Sequence, residues 1–465
     1  MNNLSMVLSG INDFLYTYLL IGLLPICGIF YSVKTKFAQL RFLPDSIKLI
    51  SEKTSGTKIS AFKAFIISIA SRVGTGNIAG IAIAIVIGGP GSMVWMWIMA
   101  IIGAASGFAE SVLAQMYKTL NEDGSSRGGP SYYIRKALGS RKLGILFSIL
   151  LIIAFAYGFN ALQTNIISTA FEYHIPNYAS NIGAHVTIGV IFAALTASII
   201  FGGVHRIGFI SSIIVPIMAG IYLMIGAGVI ITNIQKMPEI LSLMFKNAFD
   251  FNAIFGGFAG SVVIVGIKRG LLSNEAGMGS APNAAASADT SHPVKQGIVQ
   301  TLSVFVDTIV CTTSAAIVLF SNVPLDGKYM GIPHVQQAVS SQLGVAGIYF
   351  ITVSVLLFAF TSIIGNYCYA ESNFLFIKNN KKLLNIFRIT CIFTVMIAPV
   401  LSSSWVWDFA EVAMALMSTV NIVAILLLFK RVKICTDDYK RQKSLGIDPV
   451  FNAPKCGIFD TDVWK

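Results

Sequence analysis

RVGTGNIAG, residues 72–80, sits inside a long apolar run. Its glycines fit the G-x-G-x-x-G/A spacing of a dinucleotide-binding turn. Two readings compete: a phosphate cradle on a soluble enzyme, or a break in a helix that crosses a membrane. The cradle needs a strand before the turn and an acidic residue about 20 positions later. Here the preceding residues form a helix-like apolar run, Trp95 and Trp97 stand near that position, and the first acid is Glu110. The surroundings favour the broken helix.

Composition agrees. The 465 residues are 55% hydrophobic and 12% charged, and mean hydropathy is +0.74. Soluble chains carry roughly 25% charged residues, so this one lacks the charge to cover a water-facing surface. Repeated apolar stretches of about 20 residues point to an all-α integral membrane protein. Eleven spans are predicted, near 14–33, 60–87, 92–117, 143–171, 184–202, 209–232, 252–285, 297–320, 346–371, 385–402 and 405–430. The first has no basic region before it and no small-residue cleavage site, so it reads as a retained helix and not a signal peptide. The six Cys and five His form no CxxC motif or Cys/His cluster, which argues against a zinc site or disulfide framework. No Walker A motif supports ATP-driven pumping.

Lys and Arg set the orientation. With the 34–59 loop in the cytoplasm, 27 of the 33 fall on the inner side and only Lys236, Lys246 and Lys328 on the outer. Arg72, Lys268 and Arg269 lie within membrane segments. This positive-inside bias places the N-terminus outside and the C-terminus inside. It also explains the net charge of +12 without a nucleic acid partner.

Two spans are interrupted. The second carries Gly74, Gly76 and Gly80; the seventh carries Gly256, Gly257, Gly260, Gly266, Gly270, Gly277 and Gly279, with Lys268, Arg269, Asn274 and Glu275. Each glycine costs a helix interior roughly 1 kcal/mol, and a bare charge at mid-bilayer about 3 kcal/mol or more. Unwound segments are therefore predicted in both. Spans two to six and seven to eleven make two sets of five, and an odd number per set inverts the second. This is the inverted-repeat plan, in which paired broken helices mark a midplane binding site. The predicted organisation is one transporter domain over 1–435, with a first repeat at 60–232, a second at 252–430, an extra N-terminal helix at 14–33 and a cytoplasmic tail at 436–465. An unwound stretch bares N–H groups suited to a carboxylate and carbonyls suited to a hard cation such as Na⁺.

Four blocks carry a family likeness: RVGTGNIAGIAIAIVIGGPGSMVWMWIMAIIGAASGFAE (72–110), GGPSYYI (128–134), GIKRGLLSNEAGMGSAP (266–282) and FAFTSIIGNYCYAE (358–371). Over about residues 10–435 the chain resembles the alanine or glycine:cation symporter family. The resemblance implies a LeuT-like fold in a prokaryotic cell membrane, working as a monomer without enzymatic activity. It implies import of a small neutral amino acid, alanine or glycine, coupled to Na⁺ or, alternatively, to H⁺.

The same resemblance implies roles. The Thr75 and Gly76 amides and the Thr75 hydroxyl would hold the carboxylate, with Asn77 beside the substrate or holding the break open. Gly266 and Ile267 would line the pocket, their free carbonyls accepting the ammonium. Gln163 is expected in the pocket, while Asn165 is left out. The Ala70, Val73 and Phe358 carbonyls with the Thr361 and Ser362 hydroxyls would give Na⁺ five oxygens. Asn366 stands where members known for alanine often have Trp. That makes glutamine an alternative substrate, since helical spacing puts residues 362 and 366 on one face.

Arg72, Lys268 and Arg269 are expected to pair with carboxylates, Glu275 among them, as locks on the inner half. Asp307 is expected to bond between helices, with proton carrying as the alternative. A channel is the remaining class; it needs a continuous polar lining, and paired broken helices favour a transporter.

Overall fold

The computed structural model describes residues 2–52, 59–121, 124–250, 254 and 261–464, with side chains from residue 6 onward. Among them, nine helices are long and apolar enough to cross a membrane. They are α1 (Met6–Lys34), α4 (Ser92–Met116), α5 (Arg141–Thr169), α6 (Ile182–Ile200), α7 (Gly203–Thr232), α10 (Pro293–Leu319), α11 (Val345–Ile377), α12 (Lys381–Val400) and α13 (Ser403–Leu427). A tenth span is a bent pair, α2 (Ala61–Arg72) and a segment Thr75–Gly88 whose helical part is α3 (Ala79–Gly88); the two meet at 59°.

The remaining predicted span, 252–285, lies partly outside the described residues, and Gly256, Gly257 and Gly260 fall there. Its described part is α8 (Val262–Asn274), a break, and α9 (Ala281–Ser287). At 1.5 Å per residue neither piece alone reaches across a hydrocarbon core of about 30 Å. Ten spans and two broken helices are therefore seen in the described residues, and the count of eleven is not established by them.

The first break has a local cause. Gly74 is extended, and Thr75–Asn77 form one tight turn before α3 starts. Asn77 folds back: its side-chain oxygen accepts the Gly74 N–H at 3.0 Å, and its own N–H bonds Gly74 O at 3.2 Å. The residue therefore acts as a cap, satisfying groups that an interrupted helix would leave bare. A side chain at 74 has no room, since a Cβ there would sit 2.5 Å from Ser362 Oγ and 2.7 Å from Gln163 Nε2.

The second break is made differently. Glu275, Gly277 and Gly279 all have positive φ, at 53°, 82° and 90°. The buried Glu110 carboxylate of α4 accepts the Gly277 and Gly279 N–H groups at 3.2 and 3.0 Å and the Asn421 amide at 2.7 Å. Three donors make burial of that carboxyl tolerable and pin the break open.

Around these broken helices, α6, α7 and α12 turn apolar side chains such as Ile191, Phe209, Ile217, Met224 and Ile389 outward, as a lipid-facing surface requires. The helix α14 (Phe429–Ser444) and the residues after it fold back over one end of the molecule. There Lys443 meets Asp45, Lys295 meets Glu52 and Asp448 at 2.7 and 2.8 Å, and Lys136 meets Asp462 at 2.6 Å. Loops that the charge bias puts on one side of a membrane thus share one end of the fold.

Candidate functional site

The first break packs against the middle of α11. There the Ser362 hydroxyl faces Ala70 O at 2.9 Å and Val73 O at 3.5 Å. Beside it, Thr361 Oγ1 lies 3.0 Å from Phe358 O and 3.1 Å from Leu357 O. Ala70 O belongs to the last turn of α2, where the helix stops and its carbonyls lose their usual partners. Ser362 Oγ, Ala70 O and Val73 O thus meet, buried, at the break, while Thr361 Oγ1 bonds back to carbonyls of its own helix. Oxygen-only coordination without a carboxylate suits a monovalent hard cation. Among the described residues no His/Cys/Asp/Glu group could hold a transition metal.

On the other face of the break, Thr75 N–H and Thr75 Oγ1 both donate to Gln163 Oε1, at 3.1 and 2.8 Å. A small cavity of about 20 Å³ adjoins them, lined by Ser71, Arg72, Gly76, Gln163, Glu275 and Asn366, with Phe159, Leu162 and Leu272 as its apolar wall. The Asn366 side-chain oxygen accepts from Ser71 Oγ at 2.7 Å, and its amide donates to Asn160 Oδ1 at 3.1 Å. Thr75, Gly76, Gln163 and Asn366 are therefore brought together as the sequence suggests. A space this small admits about one water, so an amino acid needs Gln163 and its neighbours to give way.

Asn77 turns away from this cavity. Its amide reaches Asp307 Oδ1 at 2.5 Å, Ser273 Oγ at 3.0 Å and Cys311 Sγ at 3.1 Å. It holds the break, and Asp307 ties α3's entry to α8 and α10.

Two expectations are corrected. Gly266 and Ile267 lie within the continuous helix α8, so their carbonyls are engaged in the helical ladder and not free for an ammonium. Gly266 is small because α4 is close: a Cβ there would meet Ser92 O and Trp95 Cβ, both at 2.6 Å. The unwound stretch falls at 275–280, and from this segment Leu272 and Glu275 reach the cavity instead.

The second correction concerns the locks. Lys268 and Arg269 pair with Glu411 at 2.5 and 3.1 Å, not with Glu275. Asn12 adds 2.7 and 3.1 Å bonds to Glu411 and Asp408, and Arg269 stacks over Trp407 at 4.5 Å. Glu411 is about 24 Å along α13 from the helix's tail-side end, so this cluster occupies the half away from the tail; in the orientation expected from the charge bias that is the outer half, not the inner half expected for the locks. Glu275 accepts from Ser71 at 3.1 Å and Ser280 at 2.5 Å. Among the described residues Arg72 makes no ion pair; it donates to Gln300 O at 3.3 Å and to Ser303 Oγ, while Nε and Nη2 have no hydrogen-bond partner.

Ser71 and Glu275 line the cavity unannounced by the sequence reading. Ser71 sits one residue before the break-end Arg72, and Glu275 is the non-glycine residue at which α8 turns left-handed. Asn165, left out, bonds Ala398 O and Leu401 O at 3.1 and 2.9 Å and is structural. Toward the tail, α11 continues past Cys368 and Glu371 into a larger cavity of about 670 Å³.

Comparison with known proteins fits this geometry. The sodium:alanine symporter family matches residues 1–453. The amino-acid carrier protein AlsT of Bacillus subtilis is 44% identical over 463 residues, covering 98% of this chain and 96% of its own. The probable sodium/glutamine symporter GlnT of the same organism is 46% identical, covering 95% and 91%. The crystal structure of MhsT in complex with L-phenylalanine superposes with a TM-score of 0.59 over 83% of this chain and 93% of that one. At 12% identity this likeness speaks to fold alone, and the fold is the LeuT-like helical arrangement expected from the paired breaks. The chain is a multi-pass membrane transporter, and it belongs to the sodium:alanine symporter family.

Proposed function

We propose that this protein is a Na⁺-coupled symporter that imports a small neutral amino acid by alternating access. The observation carrying the proposal is the meeting of Ser362 Oγ with Ala70 O and Val73 O at the bend of a broken span. Sodium sits among these three oxygens, and the Thr361 hydroxyl and Phe358 carbonyl complete its five ligands when they turn toward it. The substrate carboxylate binds the Thr75 and Gly76 amides and the Thr75 hydroxyl, replacing the Gln163 carbonyl that Thr75 now holds. One break thus binds both solutes, and occupancy of one side orders the backbone for the other, which is a coupling free energy.

The repeats are assigned to 60–232 and 252–430, with the N-terminus outside and the tail in the cytoplasm. In that orientation the Lys268/Arg269–Glu411 cluster closes the outer side, and the cavity beside Glu371 is the inward route.

Alanine or glycine, as the smallest amino acids, asks the least displacement of the residues around the small cavity. Glutamine is the second reading, favoured by the Asn366 amide at the cavity wall and by the likeness to a probable sodium/glutamine symporter. Proton coupling is less well supported, because Asp307 is bound to Asn77 and Ser273. The test is uptake of labelled alanine, glycine and glutamine into proteoliposomes with and without an inward Na⁺ gradient. Accumulation of one of them only with Na⁺ supports the proposal; uptake indifferent to Na⁺ rejects it.

A further inference from the structure

A basic cavity at the tail-side end plays no part in the transport site. It measures about 270 Å³ and lies between Lys34, Lys36 and Arg41 at the end of α1 and Lys433 and Lys440 on α14. One carboxylate, Asp437, shares it and pairs with Lys433 at 2.5 Å. Among the described residues, the side chains of Lys34, Lys36 and Lys440 have no carboxylate partner. Cations gathered around a concave space repel one another, and an anion placed there relieves them.

The backbone is bent to build this wall. Lys36 and Phe37 are both left-handed, at φ 57° and 54°. Such a conformation is costly for a non-glycine residue and collects at ligand sites. The turn brings Lys36 to the cavity and leaves Phe37 exposed; Ile29, Val33 and Leu40 are exposed beside it, and Ile434 on the facing helix. The cavity also begins where the span Met6–Lys34 ends, at the depth of lipid headgroups. An anion-hungry cavity at that depth, next to outward-facing apolar side chains, has the chemistry of one molecule: an anionic phosphodiester carrying acyl chains.

We infer that this cavity binds the headgroup of an anionic phospholipid, with its chains lying along Ile29, Val33 and Phe37. Lys34, Lys36 and Lys440 hold the phosphate, and the bound lipid ties the N-terminal helix to the tail.

The experiment uses the full-length protein in detergent, with phosphatidylglycerol, cardiolipin, phosphatidylcholine or inorganic phosphate added. Binding is read by native mass spectrometry and by the shift in Tm. The anionic lipids are expected to bind and raise Tm, and phosphatidylcholine and inorganic phosphate to do neither. Lys34→Gln/Lys36→Gln/Lys440→Gln should weaken anionic-lipid binding about tenfold or more. Lys142→Gln/Lys378→Gln/Lys382→Gln removes equal charge from exposed positions elsewhere and should leave binding unchanged. All six side chains are exposed, so folding is expected to survive; Lys440→Glu alone gives a second reading in the same direction. Equal binding of phosphatidylcholine, equal loss in the control triple, or wild-type binding by the first triple overturns the inference. A Tm rise with inorganic phosphate alone overturns it in favour of a soluble anion. None of these readouts depends on transport, so a failure here is separate from a failure of the symport proposal.

Discussion

Replacing Ser362 with Ala removes one oxygen from the proposed sodium site and nothing from the substrate cavity. Ser362 Oγ lies 2.9 Å from Ala70 O and 3.5 Å from Val73 O and is fully buried. A polar contact to a charged group contributes about 1.5–3 kcal/mol. Loss of one of five ligands should therefore weaken sodium binding about 10- to 150-fold. The variant also strands Ala70 O, which costs stability about 1–3 kcal/mol and should show as a lower Tm in sodium-free buffer. The assay is initial-rate uptake in proteoliposomes while Na⁺ is exchanged for choline at constant ionic strength. The half-saturating sodium concentration should rise by at least tenfold, while the KM for the amino acid at saturating sodium stays near wild type. Thr361→Val should act in the same direction, and Thr361→Ser, which keeps the hydroxyl, should be milder. An unchanged sodium dependence together with an altered substrate KM would refute the assignment, because it would place the Ser362 hydroxyl on the substrate.

Asn366→Trp fills space beside Gly76 and Gln163 and breaks the bonds to Ser71 and Asn160; competition uptake should shift toward glycine and alanine over glutamine, and unchanged relative affinities would count against Asn366 sizing the pocket. Glu411→Gln leaves Lys268 and Arg269 without their carboxylate; stripping one partner from a buried ion pair costs about 3–5 kcal/mol, so Tm should fall clearly, and a Tm equal to wild type would deny the cluster a structural role. His292, where α10 begins, packs against Tyr439 and Phe451 with Asp438 at 3.4 Å and Lys295 and Asp448 nearby. Burial pushes its imidazole down from 6.5 to about 4. Between those values the undocked tail takes up a proton that the docked tail does not, so docking is strongest above about pH 6.5 and weakens as pH falls toward 4. Limited proteolysis of the tail should accelerate at pH 5, and His292→Gln should flatten that pH dependence; identical profiles for the two proteins would contradict the linkage.

Much of this architecture was legible because a bilayer leaves few options. Ten of the predicted spans appear as spans, and the break at 74–77 is where the glycines put it. The seventh span was harder. Gly266 serves close packing against α4, whereas Gly277 and Gly279 serve a left-handed turn. A sequence shows the same letter for both, and only the neighbouring backbone tells them apart. Partner choice was equally hidden: Arg269 and Glu411 are 142 residues apart, and nothing in the sequence singles out Glu411 over Glu275. The end of the fold at which this cluster sits was hidden for the same reason, since it follows from where α13 starts. Ser71 gave no signal at all, because a serine at the end of an apolar helix usually bonds its own carbonyls. Of the oxygens that the resemblance implies for sodium, Ser362 Oγ lies against Ala70 O and Val73 O at the break, whereas Thr361 bonds back to carbonyls of its own helix.

If sodium and amino acid share one break, each gradient drives the other solute, and this reciprocity can be measured. Proteoliposomes with equal sodium on both sides and a trace of ²²Na⁺ outside would be given an inward gradient of alanine, or of the amino acid that competes best. Net ²²Na⁺ entry driven by the amino acid gradient is expected, abolished in the wild-type protein when the amino acid is omitted and strongly reduced in Ser362→Ala. Amino acid entry with no accompanying sodium movement would contradict it.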